Sequence, residues 1–300
     1  METFIIAAII GLVIGVLSGL LGIGGGTLMI PIFRLGFGMS AISSTATSLF
    51  TIIPTSLSGL VTHIKNKTCI PKIGVLCGLG GACTSPIGVY LASRNHFLCA
   101  LASISPSWMI MLAASLIIGY SSISMFRRAI RMPKIAPTGQ SSVTGKDREK
   151  AAEAAAKATK KEEKEALKAP VFELSAKKVC ICLAIGLGAG LASGYVGVGG
   201  GFIMVPLFLS FLGIMMRHAS GTSLIAVTIL AIPGVIEQGL MGHIDYIAGI
   251  AMAIGSIPGA VIGANLIRKI PERKLRFVFG TFLLISAVVL LFNEFLPMFA

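Results

Sequence analysis

Charge is scarce in this 300-residue chain: Asp, Glu, Lys and Arg together make up 12% of it, about half the share usual in soluble domains. With 55% hydrophobic residues and a mean hydropathy of +0.90, too little polar surface remains for an ordinary soluble domain, and the chain reads as an integral membrane protein. No Lys or Arg precedes the first apolar run, which Met1-Glu2-Thr3 enters directly. A cleavable secretory signal begins with positive charge, so the segment from Phe4 is read as a retained span. The cysteines Cys69, Cys77, Cys83, Cys99, Cys180 and Cys182 follow no zinc spacing, and no metal or cofactor is expected. They read as small apolar core residues, with a Cys180/Cys182 redox pair as the alternative. The net charge of +13 lacks the aromatic interleaving of a nucleic-acid surface. Scattered over short loops and one linker, it reads instead as a membrane-orientation signal, with no nucleic-acid partner.

What the chain has in abundance is apolar length and glycine. Apolar runs cover Phe4–Leu21, Thr27–Phe37, Ala41–Val61, Ile73–Ser93 and Leu98–Phe126, then Val179–Val196, Phe202–Met216, Ala219–Leu240, Tyr246–Ile267 and Phe277–Leu296. Most reach the roughly 20 residues that cross a bilayer, but the second run of each half does not. The stretch Gly22-Ile23-Gly24-Gly25-Gly26 leading to Pro31 returns 175 residues later as Gly197-Val198-Gly199-Gly200-Gly201 leading to Pro206. From Gly15 to Phe33, ten of nineteen positions are identical at that offset, and Thr47-Ser48-Leu49 answers Thr222-Ser223-Leu224. The fold expected is an all-α integral membrane protein of two repeats, each of about five membrane segments with a glycine-broken short helix or re-entrant hairpin. The boundaries are 1–126 for the first repeat, 127–178 for a charged, partly helical linker and 179–300 for the second repeat.

Loop charge then sets orientation. Arg127, Arg128, Arg131 and Lys134 open the linker and Lys177 and Lys178 close it, which makes it cytoplasmic. Counting segments from there puts Lys65, Lys67 and Lys72 inside, together with Arg268, Lys269, Arg273, Lys274 and Arg276, and leaves only Arg34 and Arg94 outside. Both termini fall outside. An odd number of segments per half inverts the second copy, as in many transporters. Within the linker, Lys150 to Lys168 is rich in Ala, Lys and Glu, with Glu153 and Lys157 spaced as a helical pair.

Three groups of residues could carry chemistry. A helix restarting after Gly24, Gly25 and Gly26, or after Gly199, Gly200 and Gly201, presents free N–H groups and a positive dipole end, which favour an anion. Pro31 and Pro206 follow as helix-breaking residues. A hydroxyl stripe of Ser44, Thr47, Ser48, Thr51, Thr55, Ser58 and Thr62 shares one helical face, and its pairs Thr47/Ser48 and Thr222/Ser223 recur in both halves. Hydroxyls can bind an oxyanion without a buried charge, although bonds to backbone carbonyls are the commoner use. Arg217, at the start of a helix, is either an inside anchor or an anion-attracting gate. His63 and Glu237 are ionisable residues near membrane depth and are functional candidates on that ground.

The duplicated Gly-rich/Pro segments, with Arg217-His218-Ala219-Ser220-Gly221-Thr222-Ser223-Leu224, resemble the sulfite exporter TauE/SafE family over the whole chain apart from the linker. The resemblance implies a permease for sulfite, sulfoacetate or other sulfur-containing or organic anions. Residue by residue it points to Gly24, Gly25, Gly26, Pro31, Thr47, Ser48, Gly199, Gly200, Gly201, Pro206, Arg217, Thr222 and Ser223. The long charged linker departs from a compact member. The function expected is a secondary transporter in the cytoplasmic membrane, exporting a small anion, with H+ or another coupling ion and a homo-oligomer as further partners. Two alternatives stand beside it. One is a passive anion channel. The other is an intramembrane serine hydrolase using Ser18 or Ser193, which would need a His base such as His63.

Overall fold

The computed structural model describes residues 2–94, 106–131 and 175–299. Ten helices hold most of the described residues. In the first half they are α1 (Glu2–Leu21), α2 (Gly26–Phe37), α3 (Ala41–Lys65), α4 (Pro71–Arg94) and α5 (Pro106–Arg131). The second half has α6 (Ala176–Val196), α7 (Gly201–Phe211), α8 (Met216–Leu240), α9 (Tyr246–Leu266) and α10 (Glu272–Phe299). Among the described residues four helices, α4, α6, α8 and α9, are long and apolar enough to cross a membrane by length and composition. At 1.5 Å per residue, α2 and α7 reach only about 16–18 Å, roughly half of a hydrocarbon core.

Glycine decides which helices meet. In lipid no hydrophobic force sorts apolar helices, so small residues that let backbones approach do the sorting. Gly15 and Gly19 of α1 lie on the backbone of Ser256 and Ala260 in α9, with no room for a Cβ. Gly190 and Gly194 of α6 lie in the same way on Gly81 and Ser85 of α4. Around these two tight pairs α3 packs on α9 and α8 on α4, α3 and α8 meet each other, and α5 packs on α10. Each of these contacts has its counterpart at the 175-residue offset. The core between them is apolar and includes fully buried Phe33, Phe202, Phe208 and Phe279.

Several boundaries differ from the apolar runs. Helix α7 stops at Phe211 rather than continuing to Met216, because Gly213 takes a left-handed conformation (φ +63°), as its counterpart Gly38 does (φ +64°) after α2. Arg217 therefore opens α8. Helices α5 and α6 extend into the two ends of the stretch expected as linker. The rest of that stretch, with its expected Ala/Lys/Glu helix, lies outside the described residues, as do 95–105.

Candidate functional site

Each break is built from three left-handed glycines. Gly22, Gly24 and Gly25 have φ of +74°, +84° and +89°, and Gly197, Gly199 and Gly200 have +77°, +87° and +70°. An L side chain in this region costs roughly 1–2 kcal/mol, which is why glycine fills it. At the first break the N–H of Gly22 closes α1 on the Ser18 carbonyl at 2.8 Å, and Leu28 and Met29 open α2 by donating to the Gly25 carbonyl at 3.3 Å. Among the described residues, no backbone carbonyl accepts from the N–H groups of Gly24, Gly25, Gly26 or Thr27. At the second break Gly197 donates to Ser193 at 2.7 Å, and Ile203 and Met204 donate to Gly200 at 3.1 and 3.0 Å.

The two breaks pack on each other. A Cβ on Gly26 would come within 2.6 Å of the Val198 carbonyl oxygen, and one on Gly201 within 2.6 Å of the Gly22 carbonyl oxygen. Ile52 of α3 and Val227 of α8 wedge between them. A Cβ on Gly24 would meet Val227 at 2.9 Å, and one on Gly199 would meet Ile52 at 2.9 Å. With Leu49 and Ala231 these two form a separate, fully buried apolar cluster. Pro31 and Pro206, both buried, lie on the sixth residue of α2 and of α7, where the missing N–H leaves an i−4 carbonyl without its helical partner.

The hydroxyl pairs hold this arrangement together across the halves. Ser48 donates to the Gly197 carbonyl at 2.5 Å, and Ser223 donates to the Gly22 carbonyl at 2.6 Å. Thr47 Oγ1 accepts from the N–H of Asp245 just before α9, and Thr222 Oγ1 accepts from that of Ile70 just before α4, both at 3.0 Å. The rest of the α3 stripe bonds backward along its own helix, and Thr51, Thr55 and Ser58 also reach α9. Ser48, Ser223, Thr47 and Thr222 are thus engaged with backbone groups that the breaks and helix starts leave open.

Other hydroxyls beside the turns have no such engagement. Ser18, Thr27 and Ser193 are fully buried, and none of their oxygens has a hydrogen-bond partner among the described residues. Ser18 lies beside Gly25, and Thr27 belongs to the first turn of α2. Ser193 is the counterpart of Ser18, whereas Thr27 answers Phe202, so the first break is the more polar. The sequence pattern passed over Thr27 because it has no duplicate, and it marked Ser18 and Ser193 only as conceivable nucleophiles. Its signal was there: a hydroxyl immediately after a triple glycine in an apolar run.

The charged candidates sit apart from the turns. Arg217, in the first turn of α8, donates through Nη2 to the Ile270 carbonyl at 3.1 Å, about 9 Å along the helix from Ser223. His63 bonds Thr68 and the Gly19 carbonyl, and neither Ser18 nor Ser193 has a hydrogen-bond partner among the described residues, so His63 does not act as the base that either serine would need as a nucleophile. Cys180 is exposed and Cys182 buried, and residues two apart on a helix point in different directions, so the two thiols do not face each other. In the α3–α4 loop, burial pushes the Cys69 thiol up from its ordinary range.

Short, glycine-bounded helices packed head to head inside an apolar bundle are the mark of a membrane transporter rather than of a soluble or catalytic fold. Comparison with known proteins is consistent with that class. The sulfite exporter TauE/SafE model matches residues 5–290, and the chain belongs to this family. It is 24% identical to the probable membrane transporter protein YdhB of Bacillus subtilis, over 93% of this chain and 96% of that protein. It is 23% identical to YunE of the same organism, also named a probable membrane transporter protein, over 97% and 98%. A sulfite exporter TauE/SafE family protein 3 of Arabidopsis thaliana is 34% identical over 35% of this chain and 23% of its own length. No solved structure matches the chain.

Proposed function

We propose that this protein is a secondary carrier that moves a small sulfur-containing or organic oxyanion, such as sulfite or a sulfonate, out across the cytoplasmic membrane. The observation that carries the reading is the first break. There the N–H groups of Gly24, Gly25, Gly26 and Thr27 at a helix start adjoin the unpartnered hydroxyls of Ser18 and Thr27. A tetrahedral or pyramidal oxyanion accepts several hydrogen bonds at once and favours the positive end of a helix. Gly199, Gly200, Gly201 and Ser193 would supply the second, less polar wall. Thr47, Ser48, Thr222 and Ser223 then act by positioning the turns, and Arg217 by attracting anions to the inner mouth.

The two halves work as inverted repeats of five segments, with the 127–178 linker and most basic loops inside and both termini outside. Rocking of one half against the other exposes the turns alternately, and Ile52 and Val227 seal the space between them. That seal supports a carrier over an open pore. With the interior negative, a monoanion leaving gains about 2.3 kcal/mol per 100 mV, so export proceeds without a coupling ion while uptake requires one. Reconstituted protein should exchange labelled sulfite, sulfoacetate or taurine across vesicles. Absence of exchange for every small anion tested would remove this reading.

A further inference from the structure

Helices α3 and α8 end in the same backbone motif. After α3, the N–H of Lys67 donates to the Ile64 carbonyl and that of Thr68 to the His63 carbonyl, both at 3.0 Å. After α8, Gly242 donates to Gly239 and His243 to Gln238, both at 3.1 Å. The two helices run antiparallel, with Gly59 against Leu224 and Gly234 against Leu49, so the two caps lie at opposite ends of the bundle. Such a cap needs a left-handed residue just past the helix, and glycine fills that position most often. Gly242 (φ +72°) follows the rule. Lys67 (φ +54°) does not, and among the described residues it is the only one other than glycine with a positive φ. Loop charge that sets orientation can sit on any loop residue and does not require the strained one.

The strained lysine has basic company. Asn66 donates through Nδ2 to the Ala264 carbonyl at 3.3 Å and to Asn265 Oδ1 at 3.0 Å, and its Oδ1 accepts from Arg268 Nη1 at 3.4 Å. These bonds tie the α3 cap to the end of α9, just past which lie Arg268 and Lys269. Lys65, Lys67, Arg268 and Lys269 are all exposed, and none has a carboxylate partner among the described residues. Below them an apolar seam runs between the two helices, crossed by the Ser58 hydroxyl, which donates to the Ile257 carbonyl at 3.2 Å. A spacing of four residues sets Val61 in line with Lys65 on α3 and Ile257 in line with Val261 on α9, and these three apolar side chains are exposed. At the other end of the bundle the counterparts of Lys65, Asn66 and Lys67 are Leu240, Met241 and Gly242, and that of Arg268 is Ser93. The fold itself therefore does not demand the charges.

We propose that the α3–α9 seam binds an anionic phospholipid, its phosphodiester held by Lys65, Lys67 and Arg268 and its acyl chains laid along Val61, Ile257 and Val261. The inference goes beyond the carrier reading and does not depend on it. A phosphodiester carries one negative charge and several acceptor lone pairs, which ammonium and guanidinium groups converging from two helices can satisfy together. Contact with the chains as well as the headgroup favours a lipid over a soluble phosphate. On the orientation proposed above, the site lies in the cytoplasmic leaflet, where basic groups at helix ends meet anionic headgroups.

The test titrates the full chain, purified in a neutral detergent, with phosphatidylglycerol or phosphatidylcholine while its melting temperature is followed. Phosphatidylglycerol should raise the melting temperature by several degrees, and phosphatidylcholine should not. Lys67→Gly relieves the strained cap and removes one cation. In detergent alone it should melt at the same temperature or higher, yet need about fivefold more phosphatidylglycerol for the same rise. Lys65→Gln combined with Arg268→Gln should need about thirtyfold more. Lys72→Gln, which removes a cation at the start of α4 outside the seam, should leave the lipid requirement unchanged. An unchanged requirement in Lys67→Gly, or an equal loss in Lys72→Gln, would overturn the proposal. So would an equal rise with sn-glycerol 3-phosphate, which would mark a site for soluble anions. Anion exchange plays no part in the readout, so failure of the carrier reading would leave this result standing.

Discussion

A buried hydroxyl without a partner costs roughly 1–3 kcal/mol of desolvation, so Ser18, Thr27 and Ser193 stand where stability alone would put alanine or valine. Removing them should leave the fold as stable or more so. Ser18→Ala and Thr27→Val are expected to keep or raise the melting temperature in detergent while raising the KM for the transported anion about tenfold, a loss of about 1.4 kcal/mol. Ser48→Ala and Ser223→Ala should do the reverse to stability. Each strips a buried glycine carbonyl of its cross-half donor, so the melting temperature should fall by several degrees, corresponding to roughly 1–3 kcal/mol. Equal effects from the two sets would contradict the division of labour. At this scale the sequence was half legible. Duplication pointed to Thr47, Ser48, Thr222 and Ser223, but a position kept in both halves is as easily a brace as a ligand. Thr27 escaped because a residue facing one substrate needs no twin.

The decisive elements are the glycine turns and what lies between them. A leucine at Gly25 or Gly200 must adopt a left-handed conformation in a site already in van der Waals contact with its neighbours. Gly25→Leu and Gly200→Leu are each expected to abolish anion exchange while the protein still accumulates in the membrane, measured by flux and immunoblot side by side. Unchanged transport in both would take the turns out of the mechanism. The wedge of Ile52 and Val227 makes a second element-scale prediction. Ile52→Ala combined with Val227→Ala opens the dry contact between the turns, so vesicles should become leaky to nitrate and chloride. Vesicles as tight as those with the unaltered protein would mean that the seal lies elsewhere. The breaks themselves were legible, because triple glycine and proline interrupt an apolar run. The helix ends were less so. The α7 run looked longer than the helix, since apolar residues continue through the turn at Gly213 and hydropathy does not register backbone conformation.

Over the whole molecule, the 175-residue offset reappears in helix pairs, in left-handed glycines and in reciprocal hydrogen bonds from each half to the other's turn. The repeat was legible because glycines that seat one helix on another tolerate no substitution with a Cβ, so the pattern stays visible in the chain. What the sequence could not carry is the pairing itself. That α1 seats on α9 and α6 on α4, each crossing between halves, depends on which carbonyls meet which glycines, and these are far apart in the chain. The proposed anion path depends most on the two copies lying upside down relative to each other, with the basic loops of both on one side. Single cysteines at Lys65 and Arg273, in a cysteine-free background, report this directly when labelled from one face of oriented vesicles by a membrane-impermeant maleimide. Both should react from the cytoplasmic face alone. Labelling of the two from opposite faces would contradict the inverted arrangement and the anion path built on it.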